Sequence, residues 1–235
     1  TGAGNSAFGF NSLYANTTGT NNIAVGTATL DANTTGGDNV AVGHSALGAN
    51  TTASYNVAVG QGAGDAITTG NYNTAIGRSA LTSLTTNAAN TAVGGSALAS
   101  NTAANNTAVG YNSLTANTTG DGNVAVGVQA LGANTTSAGN TALGYGAART
   151  TTTGASNTAV GYLSLKQNTT GHSNVSVGFT ALQENTTGYN NTAVGMQSLL
   201  SNTTGASNAA LGLGALTANT TGNFNNALGY NALGA

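Results

Sequence analysis

The sequence predicts an all-β chain, a parallel β-solenoid (β-roll) of about 14 coils with a 17-residue repeat. Three observations predict it. Fourteen glycines, from Gly9 and Gly26 to Gly212 and Gly229, are spaced by 17 residues, except that Gly94 and Gly110 are 16 apart. Asn stands four residues before each of them, from Asn5 to Asn225. An Ala, with Ser176 the exception, and then an apolar residue lead into each glycine. A fixed period this short means one structural unit per period, stacked on its neighbours. The 235 residues therefore read as a single repeat domain, 1–235, and not as one or two ordinary globular domains. Read this way, the chain is either part of a longer array or a subunit that stacks end to end.

With the marker glycine at repeat position 5, the unit is N-x-A-V-G-x-x-A-L-x-A-N-T-T-G-x-x. Positions 2 to 4 are rich in β-branched residues and predict a short strand. The glycine predicts a bend after it. Positions 7 to 10, x-A-L-x, predict a second short strand. Val at position 4 and Leu at position 9 are the expected core. The small residues at positions 3, 5 and 8 are expected to let neighbouring chains approach closely. N-T-T-G predicts a corner, with Asn and Gly able to take positive φ. The one-residue deletion falls in such a stretch, 101–105, where a turn absorbs it. An Asn at position 1 of every coil predicts a ladder of side-chain amides along the stack, and Thr at positions 13 and 14 a weaker one. Stacked at about 4.8 Å, fourteen coils would make a rod of roughly 65 Å. Two large apolar side chains per coil is a thin core, so several chains are expected to pack together.

Composition excludes several function classes. Charged residues are 3% of the chain and the net charge is −2, so there is no basic footprint for nucleic acid. No apolar run approaches the roughly 18 residues of a membrane span. With no Cys, neither a disulfide framework nor a thiolate metal site is available.

The units NVAVGVQAL, NTAVGYNSL and NTAIGRSAL resemble the head-domain repeats of trimeric autotransporter adhesins. They resemble more closely the repeat arrays of phage tail-fibre-like and bacterial surface proteins, rich in N-T-A-[VI]-G-Y-x-A-L and N-T-T-G. The resemblance covers the whole chain. It implies a left-handed parallel β-roll assembled as a homotrimer, with an adhesive or structural role outside the cell, on a cell surface or on a virion. It leaves open whether chains form a trimer, an end-to-end filament, or both. A glycan or a host-surface receptor is the implied partner.

No catalytic, cofactor or metal site is predicted. The charged residues and the two His all fall at variable positions, and no carboxylate or His recurs in adjacent coils to line a face. Asp31 and Asp38 are the one acidic pair expected to approach. GQGAGD, 60–65, continues the repeat and does not read as a phosphate loop. The calcium-roll signature is absent.

The aromatics are the candidate recognition residues. Position 6 carries Phe10, Tyr111, Tyr145, Tyr162, Phe179 and Tyr230, and two readings stand. They contact a neighbouring chain, or they form a surface row that binds a ligand such as a glycan. Nine N-T-T motifs are formal glycosylation acceptors. Asn suits a corner and Thr a ladder, which accounts for the motif without glycan. Repeated Thr also raises an ice-binding surface, although adjacent Thr at a corner lack the alternating strand spacing that such a surface needs. The function expected is a non-enzymatic structural or adhesive segment of an extracellular fibre, with a glycan- or ice-binding rod as the alternative.

Overall fold

The computed structural model describes residues 2–234 and divides the chain into two compact units, 1–119 and 120–235. Each unit is a stack of coils, and each coil contributes one three-residue strand. The first unit holds β1 (Ser6–Phe8), β2 (Ile23–Val25), β3 (Val40–Val42), β4 (Val57–Val59), β5 (Thr74–Ile76), β6 (Thr91–Val93) and β7 (Thr107–Val109). The second holds β8 (Val124–Val126), β9 (Thr141–Leu143), β10 (Thr158–Val160), β11 (Val175–Val177), β12 (Thr192–Val194), β13 (Ala209–Leu211) and β14 (Asn226–Leu228). Inside each unit consecutive strands pair in parallel and in register, as Ala41 does with Ala58 and Ala159 with Ser176.

The strands lie where the sequence places them, at positions 2 to 4, but their facing corrects the expected core. Alternation in a strand sends position 3 one way and positions 2 and 4 the other. Ala24, Ala41, Ala58 and Ala159 at position 3 are wholly buried. Val25 and Ile76 at position 4 are about two-fifths exposed, at 38% each. The core is therefore Ala at position 3, Ala or Ser at position 8, and Leu at position 9, together with Asn. The small residues at positions 3 and 8 point into their own coil. They do not mediate approach between chains.

The expected second strand is also corrected. Positions 7 to 10 form a run of turns in which positions 7 and 9 take left-handed backbone angles, with φ of 54° at Ser45 and 52° at Leu47. A left-handed Leu costs about 1–2 kcal/mol, and complete burial of its side chain returns about 1.5–3 kcal/mol. The turn run still satisfies its backbone groups between coils. The amide of Ser45 donates back to Thr27 O at 3.0 Å, and that of Leu47 donates forward to Ala63 O at 3.0 Å. Two tight turns, Ala46 N to Gly43 O and Asn50 N to Leu47 O, close the local geometry.

The marker glycine is obligatory for two reasons. At Gly43 φ is +131°, outside the range of L side chains, and a Cβ there would stand 2.6 Å from Gly60 O of the next coil.

Buried Asn side chains hold each coil shut. Asn39 at position 1 is fully buried; its Nδ2 donates to Asn22 Oδ1 of the preceding coil at 3.0 Å and to Ala53 O of its own corner at 2.9 Å. Its backbone amide also donates to Asn22 Oδ1, at 3.1 Å. Position 12 repeats the device. Asn50 Nδ2 donates to Asn33 Oδ1 at 3.0 Å and to the same Ala53 O at 3.1 Å. Where position 12 is Asn, two amides thus converge on one corner carbonyl, so a buried amide that would be costly alone is satisfied. At the short coil the columns merge. Asn101 donates to Asn90 Oδ1 at 3.3 Å and accepts from Asn106 at 3.4 Å and Asn117 at 2.7 Å.

Candidate interaction surface

The same alternation that buries Ala at position 3 lays positions 2 and 4 on the outer face of the strands. In the first unit this face carries Ile23, Val25, Val40, Val42, Val57 and Val59, followed by Thr74, Thr91 and Thr107 beside Ile76, Val93 and Val109. The second unit repeats it with Val124, Leu143, Val175, Val194 and Leu211 among the exposed apolar residues. Neither position carries a charged residue in any coil. Seven three-residue strands about 4.8 Å apart make a face on the order of 300 Å² in each unit. The largest exposed patch on a typical monomer is of that order and is often functional.

The candidate aromatics at position 6 lie just beyond this face. Phe10, Tyr111 and Tyr230 are largely exposed, while Tyr145, Tyr162 and Phe179 are about half exposed. The last three stand in successive coils and stack on one another, Tyr145 on Tyr162 and Tyr162 on Phe179, each at 5.3 Å between ring centres. Stacking along the coil axis turns ring faces toward neighbouring rings and leaves ring edges outward. Sugars and bases are recognised on ring faces. The stacked rows therefore fasten adjacent coils, whatever else they touch. Tyr55 and Tyr72 do the same at position 17, at 5.0 Å and 2° from parallel, as do His172 and Tyr189 at position 16.

The corner Thr residues are tied to backbone. Thr34 Oγ1 donates to Thr51 O at 3.0 Å, and Thr169 Oγ1 donates to Thr186 O at 3.0 Å. The ladder expected at positions 13 and 14 forms at position 13, with the next coil's carbonyl and not its hydroxyl as acceptor. The N-T-T asparagines face inward. Asn33, Asn50, Asn168, Asn185 and Asn202 are fully buried and donate through Nδ2, the atom a glycan would occupy.

Charge is sparse and scattered. The carboxylate that Asp31 approaches is Asp65, across Gly48: the Cβ that Gly48 lacks would stand 3.6 Å from Asp31 Oδ1 and 2.6 Å from Asp65 Oδ1. Asp38 accepts instead from Asn21 Nδ2 at 3.1 Å. Burial pushes the Asp65 carboxyl above its ordinary value, Asp31 pushes it the same way, and His44 opposes both. Among the described residues no three His, Asp or Glu side chains come together in a way that could hold a metal ion. No described helix is long and apolar enough to cross a membrane.

Position 2 held the signal for the outward face that pattern reading missed. It varies among Ser, Ile, Val, Thr, Ala and Asn, whereas position 3 stays small. The constant position is the enclosed one. Compared with family models, with curated proteins and with solved structures, the chain matches none.

Proposed function

We propose that this chain is a non-enzymatic structural segment of an extracellular fibre, such as a surface adhesin, a phage tail fibre or a secreted filament. In this reading copies of the chain associate through the outer face at positions 2 and 4. The observation that carries the reading is that every coil presents an uncharged pair outward, with an apolar residue always at position 4. Identical rows about 4.8 Å apart on two copies can interdigitate along their length. Burying them removes apolar surface from water at roughly 25 cal/mol per Å². The function is then mechanical: repeated coils provide length, and the variable positions 6, 10, 16 and 17 provide whatever contact the fibre makes. A glycan or a surface receptor at those positions belongs to the same proposal.

Sedimentation of the purified chain tests it. The wild type is expected to sediment as a multiple of the chain mass. The double variant Val160→Lys with Val177→Lys is expected to sediment as a single chain with an unchanged circular dichroism spectrum. A wild type that stays monomeric at micromolar concentration would falsify the reading.

A second reading, ice binding, is favoured by one observation. Thr74, Thr91 and Thr107 stand in register beside Ile76, Val93 and Val109, an ordered array of hydroxyl and methyl groups on strands and not at corners. Inhibition of ice recrystallisation by the wild type and its loss in Thr91→Lys would move the assignment to that reading.

A further inference from the structure

The geometry points to two oxidative cross-linking sites, Tyr55–Tyr72 and Tyr145–Tyr162, at which adjacent coils of one chain can be joined by a carbon–carbon bond between tyrosine rings. The inference is independent of whether copies associate.

The chain lacks the usual means of covalent bracing. It has no Cys for a disulfide and a single Lys, Lys166, for an amide cross-link. It has eight Tyr, and four of them form two pairs at the same repeat position in successive coils. Tyr55 and Tyr72 lie 5.0 Å apart and 2° from parallel, and Tyr145 and Tyr162 lie 5.3 Å apart and 13° from parallel. All four rings remain between 47% and 64% exposed, so an oxidant reaches them in the folded chain. Tyr14, Tyr111, Tyr189 and Tyr230 have no Tyr at the same position of an adjacent coil. Phe179 on Tyr162 and His172 on Tyr189 stack in the same way but offer no second phenol.

The co-reactant is hydrogen peroxide used by a peroxidase-type one-electron oxidant. Each of the two phenols gives up one electron and one proton. The two phenoxyl radicals, with spin density on the ring carbons beside the oxygen, couple through those carbons. Each ring then returns its displaced hydrogen to its own oxygen, so two phenols remain, joined by one new bond. The two electrons and two protons reduce one peroxide to two waters. Coupling needs two radicals to meet, and holding the rings in contact replaces a diffusive encounter with an intramolecular one.

Trypsin reads the outcome, because the chain can be cut only after Arg78, Arg149 and Lys166. Tyr145 falls in fragment 79–149 and Tyr162 in fragment 150–166. The full-length protein is treated with peroxidase and peroxide, separated under denaturing conditions at single-chain mass, digested and weighed. The expected product is fragment 79–149 joined to 150–166, lighter than their sum by two hydrogens. Fragment 1–78 should also be lighter by two hydrogens. Tyr162→Phe should abolish the first product and Tyr55→Phe the second, with circular dichroism unchanged. Oxidation in urea should lose this selectivity. The proposal is overturned if neither product forms while Tyr is consumed, if they form only at doubled chain mass, or if the joined fragment survives Tyr162→Phe.

Discussion

Leu47 shows how far a single residue here departs from its intrinsic preference. A leucine with φ of 52° is disfavoured in isolation, yet nearly the same angle recurs at the buried Leu30, Leu81, Leu131 and Leu199. Complete burial and a donated bond to the next coil override the local cost. Asp65 is the opposite case, a residue the stack tolerates without benefit. Its carboxyl is held above the ordinary 3.8, by burial first and by Asp31 second. A carboxyl raised on folding binds its proton more tightly when folded, so stability falls as pH rises through that window. Asp65→Asn is therefore expected to raise the melting temperature at neutral pH, with the gain shrinking as pH falls and vanishing below 3.8. Melting curves of the two proteins across this range decide it; a gain that persists in acid contradicts the assignment.

At the scale of the coil, one departure from the repeat is compensated by another. In the coil of β4, position 9 is Gly64 where most have Leu, and position 12 is Ile67 where most have Asn. A Cβ on Gly64 would stand 3.0 Å from Ile67 Cδ1 and 3.1 Å from Leu47 Cδ2. Ile67, 1% exposed, fills the space of the absent leucine. Gly64→Leu alone should overpack the coil, and Ile67→Asn alone should leave a cavity where both the leucine and the isoleucine are missing, each costing about 1–3 kcal/mol. Made together they restore the common coil and should recover most of that loss. Chemical denaturation of the four proteins measures the coupling; additive losses would show that the two residues do not share a space. Much of the coil was legible in advance: the strand at positions 2 to 4, the bend at the glycine, the amide ladder and the corner. The turn run at positions 7 to 10 was not, because its left-handed angles are announced by glycine in only a few coils, at Gly62, Gly146 and Gly214 of position 7 and Gly64 of position 9, while the common x-A-L-x has none. The outward Val was also missed, since an apolar residue in a strand is compatible with either face until its neighbours are placed.

For the whole chain, the separation between paired strands decides how folding and unfolding spread. Paired strands are 17 residues apart, as Val40 and Val57 are, or 16 apart at Thr91 and Thr107. Against a length of 235, a separation of 17 is about 0.07 of the chain, a value usual for helical bundles and low for an all-β protein. Stability in such a stack is a sum of coil terms and nearest-neighbour terms. Removing one amide from a column, as in Asn174→Ala, should cost about 1–3 kcal/mol locally. Native-state hydrogen exchange should then speed up in the coils of β10, β11 and β12 and remain unchanged around β2. A uniform increase throughout would mean the chain opens as one cooperative body.

The Asn columns also have a direction. Within each unit Oδ1 of one position-1 Asn accepts from the coil that follows it in sequence, as Asn22 accepts from Asn39 and Asn157 from Asn174. Aligned amides add their dipoles head to tail, as peptide groups do along a helix. Each column is therefore electrically polar, with oxygen facing later coils and N–H facing earlier ones. Any coil added in the same sense meets a complementary group. One added in reverse meets oxygen with oxygen, so these buried amides select the sense of stacking in a chain almost free of charge.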